Sequence, residues 1–144
     1  MTVIDEVGRT QEVQAACTVK QRGVRIIASA HGDLRSLIKN KDLRGLVANI
    51  ETVTLGDQVA KEEAVRKLSK GIASQGISKT ITQRMGEPTF DVIVEITRGK
   101  FHEMSIVKDV GKAVDAILDG SDYNVERRSR NPSQKDITIE ITTA

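Results

Sequence analysis

Val3-Ile4-Asp5-Glu6 and, one helix and one strand later, Ser29-Ala30-His31-Gly32 decide how this chain is read. An apolar strand ending in two adjacent acids offers one carboxylate to hold the hydration shell of Mg²⁺ and a second to orient an attacking water. Phosphoryl transfer asks mainly for such positioning and charge stabilisation. Asp5 takes the first role and Glu6 the second. A polar group at the tip of the neighbouring strand can report whether a γ-phosphate is present, and His31 stands at such a tip. Both groups fall at the C-terminal ends of two sequential strands, where an open α/β sheet places its ligand.

Working outward, Val3 and Ile4 are the stub of a first strand, and Thr10 caps a helix to Arg22 with Val13, Ala16 and Cys17 on one face and Gly23 as its stop. Val24 to Ala30 is apolar apart from Arg25, the pattern of a strand buried on both faces of a parallel sheet. The order strand, helix, strand is a right-handed crossover unit. Asp33 caps a short helix carrying Leu34, Leu37 and Ile38, and Asp42 caps another carrying Leu43, Leu46 and Val47. Ile50 to Leu55 is a strand. Gln58 to about Gln75 is a charged surface helix with Glu62–Arg66 and Glu63–Lys67 at favourable spacing.

Thr80 to Met85 and Phe90 to Thr97 read as strands, and Arg98-Gly99-Lys100 joins the second to a partner from Phe101 to Val107. Asp109 caps the clearest helix, which ends at Gly120. Residues 1–120 are thus expected to form an α/β core, with parallel strands in the N-terminal part and an antiparallel hairpin plus helix in the C-terminal part. Residues 121–144, rich in Asp, Asn, Arg, Ser and Pro, read as a mobile basic tail with an edge strand over Ile137, Ile139 and Ile141.

Composition narrows the function. The 144 residues carry 22 basic and 20 acidic side chains, so the surface is mixed and has no strong phosphate-backbone footprint. Aromatic residues make up 2% of the chain, which removes the stacking platforms of single-strand nucleic-acid sites. A nucleic-acid module would rest on Arg127, Arg128 and Arg130 alone. The single cysteine, Cys17, excludes an internal disulfide and reads as a small buried residue. No apolar run reaches membrane-spanning length and no secretory leader is visible, pointing to the cytoplasm, or to a plastid if the native N-terminus lies upstream.

The pattern G-x-x-x-x-G-K-[ST], whose backbone N–H groups and lysine cradle the β and γ phosphates, belongs ahead of such an acidic strand. Only Met1 to Ile4 precede Asp5. Gly71 and Gly76 have the glycine spacing, but Ile77 stands where the lysine belongs, so that stretch is a decoy. The chain therefore reads as the hydrolytic half of a P-loop ATPase without its phosphate-cradling loop.

Val3 to Gly8, Gln21 to Val24, Ser29 to Gly32, Leu37 to Asn40, Val53 to Asp57, Lys79-Thr80 and Pro88 to Val92 together resemble the C-terminal half of the stage III sporulation protein AA-like ATPases, including their cyanobacterial and plastid relatives. The similarity covers about Val3 to Gly120. It implies a partial P-loop NTPase of the RecA/AAA-like type, a three-layer sandwich that binds ATP and Mg²⁺ and assembles into rings. On matching positions Asp5 holds the metal, Glu6 and His31 are catalytic, and Asp5, Glu6, His31 and Arg22 bind the nucleotide. Arg22 would do so as a finger reaching a neighbouring subunit, although an arginine in a last helical turn also complements the helix dipole. Arg84 matches an arginine of the family with no role attached. Departures are Ser29 in place of threonine, Cys17 in place of arginine, and an insertion over Lys61 to Gly76.

Effective positioning supplies about 7–11 kcal/mol of barrier reduction in favourable cases. Without a cradle for the triphosphate, the expectation is an inactive chain that pairs with a complementary N-terminal ATPase half or forms a homo-oligomer. The alternatives are a regulatory or binding subunit completing a partner's site in trans, or the nucleic-acid module.

Overall fold

The computed structural model describes residues 1–69, 71, 79–130 and 136–144. In chain order the elements are β1 (Thr2–Ile4), α1 (Thr10–Gln21), β2 (Ile26–Ala28), α2 (Leu34–Lys39), a 3₁₀ turn (Arg44–Leu46), β3 (Asn49–Thr54), α3 (Asp57–Ser69), β4 (Thr80–Met85), β5 (Ile93–Ile96), β6 (Glu103–Val107), α4 (Val110–Leu118), β7 (Asn124–Arg130) and β8 (Ile137–Thr143).

β1 and β2 run parallel in register Thr2↔Ile26 to Ile4↔Ala28, joined by α1. This is the expected crossover. Its start is set by Glu12, whose carboxylate accepts from the backbone N–H groups of Gly8 and Arg9 at 2.8 and 3.1 Å, so Arg9 rather than Thr10 occupies the cap. Thr10 instead donates its hydroxyl to Asp42 at 2.7 Å, which takes that acid away from capping. Gly45 in the 3₁₀ turn lies so close to α1 that an added Cβ would sit 2.8 Å from Val13 Cγ1.

Elsewhere the strands depart from one parallel sheet flanked by helices. β3 pairs antiparallel with β4 in a separate ribbon, and β5 to β8 form a four-stranded antiparallel sheet in sequence order. β2 is shorter than expected and not buried on both faces: Ile27 is 57% exposed, and its neighbour across the pair, Val3, 67%. A two-stranded parallel pair has too few neighbours to cover its apolar side chains.

The core is one cluster. Val7, Val13, Leu34, Leu37, Leu46 and Val47 meet Val107, Val110, Val114 and Val125, so the N-terminal unit and the four-stranded sheet share it. α4 contributes because Asp109 accepts from the Lys112 backbone N–H at 3.0 Å, fixing the first turn with Val110, Ala113 and Val114 inward.

The tail reading of residues 121–144 is corrected here. β7 pairs with β6, β8 pairs with β7, and Val125 enters the core, so Asn124 to Arg130, with Val125 its one apolar residue, is held as a strand by ladders on both sides. Glu126 is covered by Lys108 and Arg128, which hold its carboxyl below the usual range. The edge strand over Ile137 to Ile141 is present. α3 ends at Ser69, and the expected continuation toward Gln75, like the Gly71–Gly76 decoy, falls mostly outside the described residues. Within α3, Glu63 pairs with Arg66 rather than Lys67, and Arg66 reaches on to Asp119 after α4 at 3.0 Å, so this surface helix is pinned to the body.

Candidate functional site

The parallel ladder carries past its strands. Ser29 N–H donates to Ile4 O at 3.0 Å and Val7 N–H donates to Ser29 O at 2.8 Å, holding the two connecting loops side by side at the C-terminal ends of β1 and β2. Asp5, Glu6, Ser29 and His31 meet there. The Ser29 hydroxyl donates to Asp5 Oδ1 at 2.5 Å and accepts from the Glu6 N–H at 2.8 Å, while His31 Nε2 lies 3.0 Å from Glu6 Oε1. Three of these residues are those the sequence singles out. Ser29 lies within the motif but is given no role there beyond replacing a threonine; the signal was its position two residues before His31 on the same tip.

Backbone strain concentrates at the same place. Glu6 adopts φ 57°, the left-handed region that an L side chain enters at a cost of about 1–2 kcal/mol. Such residues persist where the surroundings over-determine them, commonly at functional positions. Gly32 has φ +105° and faces Ser36, where a Cβ would lie 3.0 Å from the Ser36 Cβ, so only glycine passes between His31 and α2. Asp33 then caps α2, accepting from Ser36 N–H at 2.8 Å. The Ser36 hydroxyl and N–H hold its carboxyl below the ordinary range.

The second anchor of this loop comes from the four-stranded sheet. Glu95 on β5 accepts from the N–H of Leu34, the first residue of α2, at 2.8 Å. Leu34 is fully buried, so this carboxylate satisfies a donor that water cannot reach. Beside it, Arg35 lies over the Tyr123 ring with 5.8 Å to the centroid, and burial raises the Tyr123 hydroxyl above its usual value.

The site is open. His31 and Glu6 side chains are 89% and 73% exposed, which limits their contact to about 0–1 kcal/mol and leaves water free to enter. Among the described residues no group of three or more His, Cys, Asp or Glu could hold a metal by itself. Mg²⁺ in phosphoryl-transfer sites typically takes one or two carboxylates and fills the rest of its shell with water and phosphate oxygens. Asp5 with the Ser29 hydroxyl is a donor set of that kind.

Arg22 does not join this constellation. α1 carries the chain from the acidic end of β1 back to the start of β2, so Arg22, at the C-terminus of α1, lies at the opposite end of the strand pair. Arg84 turns out to be a structural lock. Its guanidinium donates to both carboxylate oxygens of Asp115 on α4 at 2.9 and 2.8 Å and to Gly86 O at 2.6 Å, and Asp115 holds it more firmly protonated than usual. Cys17 is only half-buried, with Sγ 2.9 Å from the Thr89 hydroxyl. The arginine cluster is divided by the pleat: Arg127 faces away from Arg128 and Arg130, and Arg128 is bound to Glu126.

These features define a class: an open carboxylate, hydroxyl and imidazole site at the carboxyl ends of a parallel strand pair. The chain is similar to Protein SEEDLING PLASTID DEVELOPMENT 1 of Arabidopsis thaliana, with 39% identity over 127 residues, covering 88% of this chain and 16% of that protein. It is also similar to the ycf45 proteins of Cyanidium caldarium, 38% identical over 128 residues, and Porphyra purpurea, 36% over 127. These matches cover 88% of this chain in both cases, and 34% and 20% of the respective relatives. The chain thus spans about a third or less of the curated relatives it matches. No family model and no solved structure matches. The assignment to the stage III sporulation protein AA-like ATPases is corrected accordingly: the relatives bear other names, and no family model supports it.

Proposed function

We propose that this chain supplies the metal- and water-handling part of a nucleoside-triphosphate site whose phosphate cradle lies outside these residues. The observation that carries the reading is a chain of contacts at the carboxyl ends of parallel strands, in which Ser29 bridges the Asp5 carboxylate and the Glu6 backbone N–H and His31 reaches the Glu6 carboxylate. Asp5 and Ser29 would hold Mg²⁺, which neutralises the charge of the phosphates when bound. Glu6 orients the attacking water, and His31, tied to Glu6, adjusts that carboxylate when phosphate is present or lost. Such a site needs walls, and a groove of about 480 Å³ beside it supports their coming from elsewhere. Consecutive residues Ile26, Ile27 and Ala28 line one side and Val92, Ile93 and Val94 the other, so two strand edges rather than two faces look into the gap. An apolar strand carrying the cradle, from a complementary ATPase half, fits there by β-augmentation.

Titration of the isotope-labelled chain with Mg·ATP tests this. The expected result is weak, saturable shifts of the Asp5, Glu6 and Ser29 to Gly32 amides that are lost in Asp5→Asn; shifts elsewhere, or unchanged in that variant, overturn the reading. Phosphate release by the chain alone is expected to stay at background, and turnover abolished by Glu6→Gln would show that no outside cradle is needed. By extension from the name of the Arabidopsis relative, we place the protein's work in a plastid setting. No helix of the described residues is long and apolar enough to cross a membrane. The arginine residues of β7 share no single face, so the nucleic-acid alternative gains no support from geometry.

A further inference from the structure

β8 is the outer strand of the four-stranded sheet and has no second neighbour among the described residues. Its sequence, Ile137-Thr138-Ile139-Glu140-Ile141-Thr142-Thr143, contains no proline and no lysine, the usual guards of a sheet edge. Ile137, Ile139 and Ile141 are 63%, 57% and 78% exposed on one face. Their partners on β7 are the charged Arg130, Arg128 and Glu126, so this apolar stripe at the edge is set apart from Met104 and Ile96 beyond.

The backbone fixes which groups look outward. Tyr123 and Ala144 exchange both backbone hydrogen bonds, at 3.2 and 3.0 Å, so Ala144 points its N–H and C=O toward β7. Alternation along an antiparallel ladder then turns the polar backbone groups of Ile137, Ile139 and Ile141 to the free side. We infer that β8 pairs antiparallel with β8 of a second copy of this chain, in the register that sets Ile139 opposite Ile139 of the second copy.

Charge selects that register. Parity requires residues with outward groups to face one another, which leaves a few two-fold arrangements. Centring on Glu140 sets two carboxylates directly opposite, and centring on Thr138 sets Asp136 opposite Glu140 of the second copy; like charges in those positions are destabilising. Centring on Ile139 sets Ile137 against Ile141, Thr138 against Glu140 and Asp136 against Thr142, with every acid opposite a hydroxyl. Centring on Ile141 also avoids acid pairs but strands Ile139 against Thr143. The Ile139 arrangement uses all six isoleucines of the two edges and makes one eight-stranded sheet. It is independent of the nucleotide reading.

Sedimentation of the full chain tests it. The expected mass is twice 15.7 kDa, returning to 15.7 kDa in Ile139→Lys and in Ile139→Pro. The proline removes an N–H that β7 does not use, so circular dichroism is expected to stay unchanged in that variant. Register is read by cysteine cross-linking on a Cys17→Ser background. A mixture of Thr138→Cys and Glu140→Cys chains is expected to form disulfide-linked dimers, and neither chain alone. A monomeric wild-type chain overturns the proposal. So does a dimer that survives both Ile139 variants but is lost in Ile27→Lys, which would place the contact on β2, or cross-linking by Glu140→Cys alone.

Discussion

The β1–β2 pair and the β5–β8 sheet differ in how far each satisfies itself. The parallel pair holds all the candidate chemistry, yet Val3 and Ile27 are more than half exposed and Glu6 sits in a strained backbone conformation. The antiparallel sheet holds none of it; strand pairs, the α4 cap and the Glu126 ion pairs support one another through its middle, and its outer strands alone leave apolar side chains, Ile96 and the three isoleucines of β8, as exposed. The candidate chemistry lies on strands that each have a single neighbour among the described residues. Antiparallel strands close by short turns within one segment, whereas a parallel pair needs crossovers and more neighbours before its apolar faces are covered.

Core truncation gives the largest break in this comparison. Leu34→Ala, in the cluster shared by both regions, is expected to cost about 2–5 kcal/mol by urea unfolding. Ile27→Ala on the exposed strand should change stability by no more than about 0.5 kcal/mol. A similar cost for the two would mean that β2 is covered in solution. Arg84→Ala, which opens the lock between β4 and α4, is expected to cost about 1–3 kcal/mol, read as a fall in Tm.

Smaller effects sharpen the contrast at the caps and in acid. Asp33→Ala removes the α2 cap next to His31 and should cost about 1 kcal/mol. Asp33 and Glu126 both have lowered folded values, so the stability they contribute is present above the ordinary carboxylate range and lost as pH falls through those lower values. Glu126→Gln is expected to flatten the acid limb of stability against pH, measured by urea midpoints. Glu6→Gly is expected to have no fixed sign of effect. Relief of the left-handed strain offsets loss of the exposed His31 contact, and stability should stay within about 1 kcal/mol of the native value or rise. A clear loss would show that the His31 contact matters more to folding than its exposure suggests.

Much of this was legible in the sequence wherever a local rule sufficed. Asp33 and Asp109 cap the helices they are expected to cap, Thr80 to Met85 is a strand with those bounds, and His31 reaches Glu6, with Asp5 joined to them through Ser29. What failed depended on distant partners. β3 and β4 are separated by a helix and nothing local announces that they pair; Arg84 meets Asp115 from 31 residues away; Glu95 caps a helix 61 residues earlier. The tail reading failed because Asn124 to Arg130 has one apolar residue, Val125, and its place in the sheet depends on β6 and β8 and on Lys108 and Arg128 neutralising Glu126.

Glu95 stands on β5, the rim of the groove between the two regions, and its carboxylate grips the helix that follows the imidazole loop. Under the proposed arrangement, a strand seated along β5 would lie beside the residue whose carboxylate holds the first N–H of the helix that begins just after His31. Whatever fills the gap would then share a strand with the imidazole loop's anchor.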